Sequence, residues 1–167
     1  MTPQEVIIRC VQDAQAAERN FEDVLANFSK TGEQTQVQTL FDLASKKART
    51  QHERLEARLK ALGGEPSTAK SVLAHLLSFT PTVAQIGHDP SEKNTQNLMM
   101  CIAAASAEMA MYEALASVAA AAGDTQTERL ARELQKEERD DYEDSWQMLR
   151  SSALASFQTV LAREAKA

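Results

Sequence analysis

Four stretches of this chain, each about 25 to 30 residues long, repeat apolar residues at three- and four-residue spacing, and nearly every glycine and proline falls between them. That spacing gathers the apolar side chains on one side of a helix. At 1.5 Å per residue each stretch makes a rod of about 40 Å. With 28 alanines and eight aromatics, the chain has the composition of closely packed helices, because strands favour β-branched and aromatic residues.

The punctuation sets the boundaries. Thr2 can cap a first helix, with Pro3 in its first turn and Glu5 three residues after the cap. The pattern runs to about Lys30 and stops at Gly32. A second helix is expected from about Glu33 to Leu62, ending at Gly63-Gly64, with Pro66 preventing continuation. The stretch SVLAHLLSFTPTVAQIG, broken by Pro81, reads as a connection with one or two short helices. Asp89 or Ser91 opens a third helix that stops at Gly123, and Asp124 caps a fourth from about Thr125 to Arg150. Ser151 or Ser152 then begins a short fifth helix, to about residue 165, carrying Leu154, Phe157, Val160 and Leu161.

Short turns join the first helix to the second and the third to the fourth, whereas about 27 residues separate the second from the third. Two hairpins linked by one long crossover build a ferritin-like four-helix bundle. The expected fold is therefore all-α, one domain over residues 1–167 with its bundle at about 3–150.

Charge and composition exclude several functions. A net charge of −6 with no basic stripe disfavours nucleic acid. Cys10 and Cys101 lack C-x-x-C spacing and read as small buried thiols in a reducing cytoplasm. The N-terminus has no basic region followed by an apolar one, so no signal peptide is expected. The run LMMCIAAASAEMAMYEALASVAAAA is interrupted by Glu108 and Glu113, which favours a core helix over a membrane span. No Ser-His-Asp set and no glycine-rich phosphate loop is present.

The acids stand out against the seams. The first helix lines up Ile7, Val11, Ala14, Glu18, Phe21, Leu25 and Phe28, with a carboxylate in the middle. The second lines up Val37, Phe41, Ala44, Ala48, Gln51, Leu55 and Leu62, flanked by Lys47 and His52. The third lines up Leu98, Cys101, Ala105, Glu108, Tyr112, Leu115 and Ala119, a seam interrupted by Glu108. The fourth runs Leu130, Leu134, Glu137, Asp141 and Met148, with Glu138 one step round. Three of four seams thus carry an acid halfway along the bundle. An unpartnered ionised carboxylate in a packed core costs several kcal/mol, against a domain stability of about 10 kcal/mol. Such acids persist with a metal, a basic side chain, or raised pKa values. The stretch LQKEERDDYEDSW can equally be a solvated helix face, and Glu137 and Glu138 could both belong to it.

At this point the chain resembles the bacterial ferritin-like stress proteins typified by YciE and YciF, over about residues 8 to 150. The resemblance rests on VQDAQAAERNFEDVLANF with Asp13 and Glu18, QHERLEARLKALGGEP, EMAMY with Glu108 and Tyr112, and LQKEERDD. It implies a ferritin-like fold and, where all ligands are kept, a pair of metal ions, iron or manganese. Carried over, Glu18, Glu108, Glu138 and Asp141 remain as metal ligands, with Glu137 as an alternate. The family's second-helix acid is matched by Lys47, and its third-helix E-H-Y by Ala105, Ser106 and Ala107. The site is therefore expected to be degenerate and non-catalytic, without a metal cofactor, and with the Lys47 ammonium supplying a metal's charge. The alternatives are that Lys47 reaches solvent, and that a residual iron or manganese site serves an oxidase or iron-handling protein. A homodimer is expected rather than a cage.

His75 and His88 stand too far apart to form a ligand pair. Met99, Met100, Met109 and Met111 read as core filling or a helical dimer face. Tyr112 and Tyr142 read as tyrosines that satisfy their hydroxyls, Tyr112 on a core carboxylate.

Overall fold

The computed structural model describes residues 1–66 and 88–166. Among these residues there are four long α-helices and no strand: α1, Pro3–Phe28; α2, Thr35–Ala61; α3, Lys93–Ala121, preceded by a 3-10 turn at Pro90–Glu92; and α4, Thr125–Glu164. The expected short helices of the connection, with His75 and Pro81, lie outside the described residues.

The starts follow the sequence signals. The Thr2 hydroxyl accepts from the Glu5 backbone N–H while the Glu5 carboxylate accepts from that of Thr2, a complete capping box. Asp124 accepts from the Thr127 backbone N–H at the start of α4. Gly123 takes the left-handed conformation that ends α3 (φ +75°). Asp89 caps the 3-10 turn, and α3 continues directly from it.

Side-chain bridges give the directions. Glu22 meets Arg49 and Gln12 meets the Glu65 carbonyl, so α1 and α2 are antiparallel. Thr95 meets Ser152 and Glu113 meets Arg132, so α3 and α4 are antiparallel too. Asn97 meets Thr31 and Tyr112 meets Glu18, which sets α3 antiparallel to α1. It follows that α2 and α3 run parallel. The end of α2 and the start of α3 therefore lie at opposite ends of the bundle, as in two hairpins joined by one long crossover.

The expected separate fifth helix is not formed: α4 runs unbroken for 40 residues to Glu164. Ser151 and Ser152 can cap a helix, but no glycine or proline accompanies them to stop the preceding one. Their segment is anchored instead. The Ser156 hydroxyl donates to the carbonyls of Ser91 and Ser152, and Arg163 binds Asp89. The outer side of this last stretch leaves Leu154, Phe157 and Leu161 exposed.

The seams of α1 and α3 are buried as read, and so is that of α2 except for Leu62, which is partly covered. The fourth is rotated by one position: Thr127, Ala131, Leu134, Glu138, Asp141 and Ser145 face inward, and Glu137 does not. The stretch Pro90–Ala121 is long and apolar enough to cross a membrane by length and composition, yet Leu98, Cys101, Ala105, Tyr112 and Leu115 on it are core residues.

The apolar core falls into two clusters. One contains Ile7, Val11, Leu55, Leu59, Tyr112, Leu115 and Leu134. The other contains Phe21, Leu25, Phe28, Phe41, Leu98 and Cys101, with Phe28 and Phe41 edge to face at 5.3 Å. Between them in register lie Glu18, Gln51, Glu108 and Glu138, one residue from each helix.

Candidate metal centre

Each helix brings one polar side chain to the level where the two apolar clusters meet. Glu18, Glu108 and Glu138 are at most 1% exposed, and each has a carboxylate oxygen within 4.8 Å of the others'. Gln51 is equally buried, and its amide donates to Glu138 Oε1 at 2.8 Å. The Tyr112 hydroxyl, one turn beyond Glu108, donates to Glu18 Oε1. These two bonds orient the carboxylates. Among the described residues they leave Glu18 Oε2, Glu138 Oε2 and both Glu108 oxygens buried with no hydrogen-bond partner while the carboxyls are ionised; once protonated, Glu108 donates to Glu138.

Four buried carboxylate oxygens without a partner are costly as anions, because burial and mutual repulsion both oppose ionisation. Burial pushes Glu18 well above the usual carboxylate range, and the Glu138 charge adds to it, against the Tyr112 bond. Glu108 is pushed well above that range by burial and by the Glu18 and Glu138 charges. Glu138 is pushed up to about 7, again by burial first. Without a cation the cluster therefore holds protons near neutral pH.

Asp141, one turn along α4 from Glu138, is placed differently. It forms an ion pair with the Lys47 ammonium of α2. Burial pulls the Lys47 ammonium down, but Asp141 outweighs it and leaves the pKa raised. Lys47 remains one-third exposed, so its stem runs from the surface inward. The sequence brought Lys47 and four carboxylates to one place. The structure divides them into a Lys47–Asp141 pair and a group of three glutamates. Glu137, the alternate, turns away from the cluster to bind Arg54 at 2.6 Å.

Among the described residues, the other candidates take no part. His52 Nδ1 lies 3.3 Å from the Gln15 carbonyl, and His88 pairs with Glu92 at the surface. Cys101 is buried, accepts from the Ser145 hydroxyl at 3.4 Å, and is pushed up to about 12 by burial, so it stays a thiol. Tyr142 stacks on Trp146 at 5.8 Å. Gln51 is the residue that sequence reasoning left without a role. Its only signal was an amide within an otherwise apolar seam.

The residues present fit one cation. Glu18, Glu108 and Glu138 would hold it through the oxygens that no described residue occupies. They do not fit a pair, since Gln51 is neutral, Asp141 is bound by Lys47, and Ala105 offers no donor.

A family model described as Domain of unknown function (DUF892) matches residues 2–156. No curated protein matches the chain. Among solved structures, the chain is similar to the Escherichia coli stress protein YciF, at 17% identity and TM-score 0.82, covering 92% of this chain and 98% of that one. A Xanthomonas campestris protein is similar at 18% identity and TM-score 0.80, covering 96% and 99%. Ferritin-like, diiron-carboxylate proteins from Bacillus anthracis are similar at 16% identity and TM-score 0.72, covering 89% and 99%. These likenesses establish the ferritin-like bundle.

Proposed function

The chain belongs to the family described as Domain of unknown function (DUF892), and from that premise we propose that it is a ferritin-like protein whose paired-metal chemistry has been given up. The observation that carries this reading is the ion pair between Lys47 and Asp141. An ammonium there supplies the positive charge that a second ion would bring, and it does so without exchange or redox change. The protein is then non-catalytic as an oxidase and acts through assembly or partner binding. A stress-related role is supported by its likeness to the Escherichia coli stress protein. The exposed Leu154, Phe157 and Leu161 on α4 support a homodimer.

Lys47→Glu tests the reading. The substitution restores an acid to α2 and leaves Asp141 unpaired. After expression in medium supplemented with iron and manganese, the variant should retain more metal per chain than the wild type, with unchanged helicity. Equal metal content in the two proteins would refute the role given to Lys47.

A second reading, residual handling of iron or manganese, is favoured by the unpartnered oxygens of Glu18, Glu108 and Glu138. Bound there, a divalent ion would neutralise charge and, as iron or manganese, supply one-electron redox chemistry.

A further inference from the structure

We propose that the seam between α2 and α4 is an ionic latch: the two hairpins part there, in a partial opening that salt promotes, and the buried polar layer reaches solvent through it. The latch works with or without a metal in that layer.

The bridges across this seam follow one another turn by turn. Arg58 binds both carboxylate oxygens of Asp124 at 2.7 and 2.8 Å, and it also reaches Thr127 and Gln126. Arg54 forks between Glu133 and Glu137, at 2.8 and 2.6 Å. Gln51 comes next on Glu138, and Lys47 on Asp141 closes the series at the polar layer itself. The bridges thus cover the half of the seam that runs from the layer to the turn at Gly123. Among the described residues, every ion pair that joins one hairpin to the other lies here. The seam of α1 and α3 is built differently. Ile7 and Val11 share an apolar cluster there with Tyr112 and Leu115, and the side-chain bridges are hydrogen bonds from Tyr112 to Glu18 and from Asn97 to Thr31.

The two seams differ in what parting them costs. Separating α1 from α3 wets apolar surface, which the hydrophobic effect opposes. Separating an ion pair near the surface returns both charges to water, and such pairs add little net stability. Arg54, Glu133 and Glu137 are already between 30% and 45% exposed. The α2–α4 seam is therefore the one that yields first, with the α1–α3 contact as its hinge. Leu55 and Leu134, buried beside the bridged residues, oppose the opening and keep it a minor excursion from the closed bundle. Salt shortens the Debye length from about 30 Å at 0.01 M to about 3 Å at 1 M. It weakens every bridge in the series except the one from Gln51 to Glu138.

Cys101 reports the opening. Its thiol is 1% exposed and accepts from Ser145, one turn past Asp141 on α4. The test follows labelling of Cys101 by an aromatic disulfide reagent in full-length Cys10→Ser protein at fixed pH. Rates are taken relative to the unfolded chain at the same salt, which yields an opening constant. That constant should exceed the global unfolding constant from urea denaturation, and it should rise about tenfold between about 0.01 M and 1 M sodium chloride. In the same background, Arg54→Met keeps the apolar stem and removes two bridges. It should label about threefold faster or more at low salt and respond less to added salt. Arg49→Met removes the bridge to Glu22 inside the first hairpin and should label like its parent. Labelling that tracks global unfolding, ignores salt, or changes equally in the two variants would overturn the latch.

Discussion

Replacing Glu138 with glutamine should stabilise the metal-free protein, and only above acidic pH. Glu138 is 1% exposed, and its carboxyl is pushed from an ordinary value of 4.5 up to about 7, chiefly by burial. A raised folded-state pKa means that the native protein keeps a proton which the unfolded chain releases as pH rises above 4.5. The stability linked to that proton is fully present below 4.5 and is lost as pH climbs through about 7. Moving from 4.5 to about 7 at 1.36 kcal/mol per pH unit corresponds to about 3 kcal/mol. Glutamine keeps the shape and the oxygen that accepts from Gln51, but never ionises. Thermal unfolding followed by far-UV circular dichroism in chelator should therefore show Glu138→Gln and wild type melting together near pH 4.5. At about pH 8 the variant should melt about 6–12 °C higher, taking roughly 2–4 °C per kcal/mol for a domain of this size. A gap that is equal at both pH values, or of opposite sign, would refute the account of the cluster as buried and proton-holding.

Tyr112→Phe removes the hydrogen bond to Glu18 Oε1 and should cost about 1–3 kcal/mol in urea unfolding; no loss would mean that the phenol does not hold that carboxyl. Leu55→Ala empties a fully buried position in the cluster of Ile7 and Leu134 and should cost about 2–5 kcal/mol, read in the same assay. Gly32→Ala should cost at least about 1 kcal/mol, read as a lower melting temperature. Gly32 sits at φ +86°, where an added Cβ would collide with Asn94 Oδ1, the atom that accepts from the Glu33 and Gln34 backbone N–H groups.

The elements were legible because their signals are local. Thr2, Pro3 and Glu5 mark the start of α1, and Asp124 that of α4, through bonds within one turn. The inward placement of Glu18 and Glu108 was legible too, since every neighbour in their seams is apolar. The choice between Glu137 and Glu138 was not. In LQKEERDDYEDSW acids occupy both faces, so a rotation by one residue leaves the pattern intact, and only packing against α2 decides it. Arg54 draws Glu137 outward while Gln51 meets Glu138. The partner of Lys47 depends on the register of α2 against α4, a relation between residues 94 apart. The continuation of α4 past Ser152 was missed for a similar reason. Its hydroxyl contacts reach Thr95 across the bundle, and the carbonyl of Ser91 is met by Ser156.

The layer of Glu18, Gln51, Glu108 and Glu138 also has a consequence for cooperativity. A dry core that is continuous from end to end must open as a unit, but this one is a pair of greasy halves meeting at a polar waist. Each half can breathe while its counterpart stays shut. An ion could then reach the waist through partial opening at one end, at far less than the free energy of global unfolding. Native-state hydrogen exchange should accordingly resolve two protected blocks of amides, one around Leu55 and Leu134, the other around Phe41 and Leu98.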